Sequence, residues 1–184
     1  MTTPTIRNGV NVDQLVQTVE AVKQNPSLAR FQFRTTSTWQ GGGRCQSTIE
    51  SFHGVGQEQK HSRVHTLQGD EPAVLLGEDI GPNAVETVLA ALASCLAVGY
   101  AYSAAAQGIE IQELQFEIEG DLDLQGFLGL SNEVRPGFDN IRVRYRVKSD
   151  TPRQKLEELC DYVQRTSPVL DIIRSPVPVS VELV

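Results

Sequence analysis

GEDIGPNAVETVLAALASCLAVGYAYSAAAQG, residues 77–108, is the stretch on which the fold turns. Gly81, Pro82 and Asn83 break the conformation of the chain that precedes them. Asn83 then predicts a helix N-cap, because its short polar side chain accepts an otherwise unpaired backbone N–H. Glu86, three residues on, completes a capping-box pattern. Gly108 supplies the stop, since glycine takes the left-handed conformation that ends helices. The residues between are mostly apolar or small, which predicts one long helix. Its length reaches that of a membrane span, but Glu86, Ser94, Ser103, Gln107 and the many alanines predict a core helix instead.

Cys95 sits in the middle of this helix, three residues after Leu92 and seven after Val88, on the apolar stripe. Two readings stay open from position alone. Free cysteine often fills buried space as a small hydrophobe. A reactive thiol there needs a nearby arginine or a second helix N-terminus, because burial disfavours the thiolate.

Outward from the helix, the pattern alternates between the two periods. Residues 12–24 place Val12, Leu15, Val16, Val19 and Val22 on one helical stripe, which Pro26 ends. Residues 30–53 read as a hairpin turning at Gly41–Gly43. Short strands are expected from 62 to 79, with breaks at Gly69 and Pro72. After Gly108, the apolar parity changes between Ile109, Ile111 and Leu114, Phe116, Ile118, which predicts a bulge near Gln112. Residues 140–149 read as a strand with Ile141, Val143, Tyr145 and Val147 on one face and Arg142, Arg144, Arg146 and Lys148 on the other. Thr151, Pro152 and Gln154 predict a capped amphipathic helix, and Ser167 with Pro168 repeats the device. VPVSVELV, 177–184, reads as a closing strand. This order gives an α+β chain with a largely antiparallel sheet.

The totals narrow the function. The 184 residues carry a net charge of −7, with 40% apolar and 21% charged side chains. That is a folded globular composition, and it argues against a backbone-reading nucleic-acid binder. The N-terminus lacks an apolar segment of signal-peptide type. Cys45, Cys95 and Cys160 are far apart and odd in number, which points away from a disulfide framework or zinc knuckle and toward reduced thiols in the cytoplasm. His53, His61 and His65 lie close in sequence, yet on a strand residues four apart are distant, so they read as solvated. The Arg142–Lys148 stripe reads as a solvated face or as the partner of Glu117 and Glu119 across the sheet.

The lead-in GEDIGPN, the helix carrying Cys95 and the downstream SPVLDIIRSPVPVSVEL together resemble the OsmC/Ohr superfamily. The likeness spans roughly residues 30–184, behind an N-terminal helical extension at 1–29. It implies an antiparallel sheet wrapped around long central helices in an intertwined homodimer. It also implies a thiol that attacks hydrogen peroxide or organic hydroperoxides with no metal or other cofactor, in defence against oxidative stress. By the resemblance, Cys95 is the peroxide-reactive thiol and Arg44 the active-site arginine. The family's second, resolving cysteine falls on Ser167, which cannot form a disulfide. The expected glutamate falls on Val85, leaving Glu86 one residue further on as the candidate acid or a cap. Cys45 and Cys160 are the alternative resolvers.

Two functions follow as expectations. One is a single-cysteine peroxidase whose sulfenic acid is reduced by an external thiol. The other is a non-catalytic dimer that binds a small apolar ligand at its interface. Neither involves a nucleic acid or a membrane.

Overall fold

The computed structural model describes residues 3–184. The chain divides into two compact units: the segment up to Val12 together with Leu89–Val184, and Asp13–Val88.

The second unit starts with α1 (Val12–Gln24), whose apolar stripe forms as the sequence predicts but buries nothing. Val16 and Val19 are 52% and 44% exposed. Strands β3 (Gln32–Phe33), β4 (Thr36–Gly41), β5 (Arg44–Gly54) and β6 (Gln57–Gly69) make one antiparallel sheet. β4 and β5 are the expected hairpin, with Trp39 opposite Cys45. β6 runs along β5 on its other edge. The register jumps between Ile49 and Ser51: these two positions face His65 and Lys60, so β6 carries extra residues in a bulge. This bulge corrects the reading of the histidines. Instead of lying far apart along a strand, the His61 and His65 rings meet edge-on at 5.0 Å.

The strands expected beyond Pro72 do not form; 73–75 is a 3-10 turn. The cause is Asp70, which is only 2% exposed. Its carboxylate accepts the backbone N–H groups of Glu71 at 2.8 Å, Glu78 at 3.0 Å and Ile80 at 3.3 Å. Donors spent on a carboxylate are unavailable to a ladder.

The first unit holds the core. The paired strands β1 (Ile6–Arg7) and β2 (Val10–Asn11) precede α1. α2 (Ala84–Ala106) is the long helix, capped as predicted: Asn83 and Glu86 exchange side-chain-to-backbone bonds at 2.8 and 2.9 Å. Gly108 ends it at φ 76°, with Ile109 N–H donating to Ala104 and Gly108 N–H to Ala105. Leu92, Leu96, Tyr100 and Ala104 recur every four residues as its buried stripe.

β7 (Glu113–Asp121) and β8 (Asn140–Lys148) pair without a shift, setting Phe116 opposite Tyr145 and Ile118 opposite Val143. No bulge forms at Gln112. The strand begins at Glu113, so Ile109 and Ile111 precede it and the parity change falls at its start. The short helix α3 (Leu124–Phe127) lies between the two strands in sequence. The outer face pairs its charges: Arg142 with Glu119 and Asp121, Arg146 with Glu117, Lys148 with Glu113.

α4 (Arg153–Thr166) and α5 (Pro168–Arg174) complete the core. The Thr151–Gln154 cap is not made. Pro152 is extended (φ −53°, ψ 138°), which holds Thr151 one residue outside the helix, and Gln154 bonds Glu158 instead. Leu159, Val163 and Leu170 join the α2 stripe, with the inner faces of β7 and β8 packed against them. Gly99 lets α4 come close: a Cβ there would lie 3.1 Å from Val163. Residues 177–184 form no strand. They remain unpaired among the described residues, with Val181 93% and Leu183 99% exposed. Alternation gives the segment the capacity to pair, but among the described residues it hydrogen-bonds with none of the strands.

Candidate active site

Cys95 and Ser167 meet. The Cys95 sulfur lies 3.2 Å from the Ser167 hydroxyl oxygen, although 72 residues separate them in sequence. Two local rules bring them together. The α2 stripe of Leu92 and Leu96 is buried, and Cys95, adjacent on the helix, is left half-buried at its margin. Ser167 is 5% exposed and caps α5, accepting the Leu170 N–H at 3.3 Å. With the oxygen holding that donor, the hydroxyl proton is free to be donated to sulfur. A negatively charged or oxidised sulfur at Cys95 therefore meets a hydrogen-bond donor and the first turn of a helix.

All three cysteines are free thiols. Cys45 is a strand residue on β5, between Trp39 and Gly69 of the neighbouring strands. Cys160 lies on α4, where its sulfur accepts a bond from Gln164 Nε2 at 3.3 Å.

Arg44 and Glu86 belong to the other unit, and each has local partners there. Arg44 pairs with Glu78 at 3.2 Å and donates to the Gln40 carbonyl at 3.2 Å. The Glu86 carboxylate accepts the Asn83 N–H at 2.9 Å. Asp70, which the sequence reading missed, organises the loop that carries Glu78. Burial pushes its carboxyl up, but the N–H bonds from Glu71, Ile80 and Glu78, with Arg44 nearby, outweigh burial and hold it below the usual carboxylate range. A lone Asp at a strand end carries no periodic signal, so only the folded loop reveals it.

Beside Cys160, two phenols are held protonated. Burial, then the neighbouring Cys160, pushes Tyr100 up to about 12. Burial first, and Cys160 next, raises Tyr145 as well. Tyr100 donates to the Leu156 carbonyl at 3.2 Å.

A model of the family described as OsmC-like protein matches residues 77–182. No curated protein matches the chain significantly. Among solved structures, an OsmC-like protein from Mycoplasma pneumoniae is similar at 14% identity and TM-score 0.60, covering 79% of this chain and 89% of its own. An OsmC-like protein of unknown function from Vibrio cholerae follows at 14% identity and TM-score 0.54, covering 76% and 92%. An organic hydroperoxide resistance protein from Legionella pneumophila follows at 18% identity and TM-score 0.53, covering 78% and 90%. At these identities the likeness is one of fold.

Proposed function

This chain belongs to the OsmC-like protein family, and from that premise we propose that it reduces hydroperoxides with Cys95 as its single reactive thiol. The observation that carries the reading is the 3.2 Å contact between the Cys95 sulfur and the Ser167 hydroxyl. In the proposed step the Cys95 thiolate attacks the terminal peroxide oxygen. An S–O bond forms, the O–O bond breaks, and the peroxide leaves as an alkoxide that takes up a proton. Sulfur is oxidised to the sulfenic acid, and the Ser167 hydroxyl gives that oxidised sulfur a hydrogen-bond partner. An external thiol then displaces water to form a mixed disulfide with Cys95. A second thiol releases the Cys95 thiol and leaves as the external disulfide. Arg44 and Glu86 are proposed as the accompanying cation and acid.

The working unit is proposed to be a homodimer. The Asp13–Val88 unit buries only Gly54 and Asp70, while Phe33 and Trp39 are 75% and 74% exposed. A sheet with so much apolar surface in water is poorly stabilised until something covers it.

The test is consumption of cumene hydroperoxide in the presence of a dithiol. Wild type is expected to consume peroxide and Cys95→Ser to do so only at the background rate. Equal rates would end the catalytic reading. They would favour the alternative, a non-catalytic dimer binding a small apolar ligand at its interface.

A further inference from the structure

A cavity of about 110 Å3 lies in the first unit, walled by α2, β7, β8, α4 and α5. Three aromatic rings, tilted 54° and 32° from one to the next, give it an apolar wall. Tyr145 stands between Tyr100 and Phe116, with ring centroids 5.8 and 5.9 Å away. The rest of the lining is aliphatic, except along one polar edge made by Cys160, Gln164 and Arg174. That edge is a relay with a direction. Arg174 Nη2 donates to Gln164 Oε1 at 3.4 Å, and Gln164 Nε2 donates to the Cys160 sulfur at 3.3 Å.

The relay uses one Arg174 N–H. Among the described residues no carboxylate pairs with Arg174; the same holds for Arg135, Lys155 and Arg165 of this unit, but of these Arg174 alone lines the cavity. A guanidinium presents a planar fork that matches a carboxylate. An aromatic slot with such a fork at its edge suits one class of molecule. The slot is of the size that admits a single ring or a short branched chain.

We propose that this cavity binds a small organic carboxylate with a flat apolar body. The body lies against Tyr100, Phe116 and Tyr145, and the carboxylate takes the free N–H groups of Arg174. The bound molecule covers the Cys160 thiol. The site does not depend on the reactivity of Cys95.

The experiment titrates benzoate into the full chain. It follows alkylation of Cys160 by iodoacetamide, read by peptide mass spectrometry, with Cys95 and Cys45 read in the same digest. Benzyl alcohol is the neutral comparison. Benzoate is expected to protect Cys160 saturably, with a dissociation constant on the order of 1 mM for so small a ligand. Benzyl alcohol is expected to bind more weakly. Arg174→Gln changes an exposed side chain and is expected to weaken benzoate about five- to tenfold while leaving benzyl alcohol unchanged. Cys95→Ser should bind benzoate as wild type does, whether or not wild type reduces peroxide. The proposal is overturned by any of three results. These are no saturable protection, equal protection by the two compounds, or equal protection of Cys45 and Cys160.

Discussion

The two units are built on opposite economies of burial. The unit that contains Leu89–Val184 owns every buried apolar side chain among the described residues: Leu92, Leu96, Tyr100, Ala104, Ala105, Ile109, Leu159, Val163 and Leu170. The Asp13–Val88 unit has the longer strands and the larger sheet but no buried apolar side chain. Its order within one chain comes from backbone ladders, from the surface cluster of Phe31, Phe33 and Phe52 rings, and from Asp70. Hydrogen bonds specify geometry and add little net stability, whereas removal of apolar surface from water drives folding. Cys95 lies in the unit with the core. Arg44 lies in the unit without one.

The largest expected effect breaks this comparison directly. Leu159→Ala removes a side chain that is 1% exposed and should cost about 2–5 kcal/mol in urea unfolding. Phe33→Ala, at 75% exposed, should cost an isolated chain only about 1 kcal/mol, through its ring contacts with Phe31 and Phe52. If the homodimer proposal is right, Phe33→Ala should also shift the monomer–dimer balance in sedimentation toward monomer. A cost for Phe33→Ala that matches that of Leu159→Ala and does not vary with protein concentration would contradict the division drawn here.

Asp70→Asn comes next, and it tests what orders the coreless unit. The folded-state pKa of Asp70 lies below its unfolded value of 3.8. The stability it contributes is therefore fully present above pH 3.8 and is lost as pH falls through the lower, folded value. Protection factors of residues 71–80, the intrinsic exchange rate at each pH divided by the observed rate, should fall in wild type as the solution is acidified through this range. In Asp70→Asn, the protection factors there should be low already at neutral pH and nearly independent of pH. Unchanged protection at neutral pH would remove Asp70 as the organiser.

Ser167 carries two smaller effects in the unit with the core. Ser167→Ala loses the cap on Leu170 and should cost about 1 kcal/mol, with slower sulfenylation of Cys95 by hydroperoxide. Ser167→Cys places a second sulfur where an oxygen now lies 3.2 Å from Cys95, so peroxide should produce an intramolecular disulfide between them. Intact-mass analysis showing only higher oxidation states of Cys95 would mean that the two side chains do not meet in solution. The smallest effect belongs to Arg144→Ala. Its pair with Glu119, at 3.6 Å and largely exposed, should change stability by less than about 0.5 kcal/mol.

Much of the core unit was legible because its signals are local. The Asn83–Glu86 box, the Gly108 stop and the alternation from Ile141 to Val147 are each read within a few residues. The Thr151–Gln154 box failed for an equally local reason: Pro152 in its extended conformation puts Thr151 outside the helix. The meeting of His61 and His65 depends on a bulge against β5, and a strand pattern gives no warning of a partner's register. Residues 177–184 alternate like a strand, but alternation states a capacity to pair and does not provide the neighbouring edge.

The sequence by itself determined the long capped helix with Cys95 on its apolar stripe and the Ser167 cap that opens the last helix, because helix caps and periodicity act over single turns. Only the tertiary structure decided that Cys95 and Ser167 touch, that Asp70 gathers a loop, and that Cys160 looks into a cavity beside Arg174. Each of these joins residues from separate elements. Their distances are set by how side-chain volumes pack, and that information is spread over the whole chain.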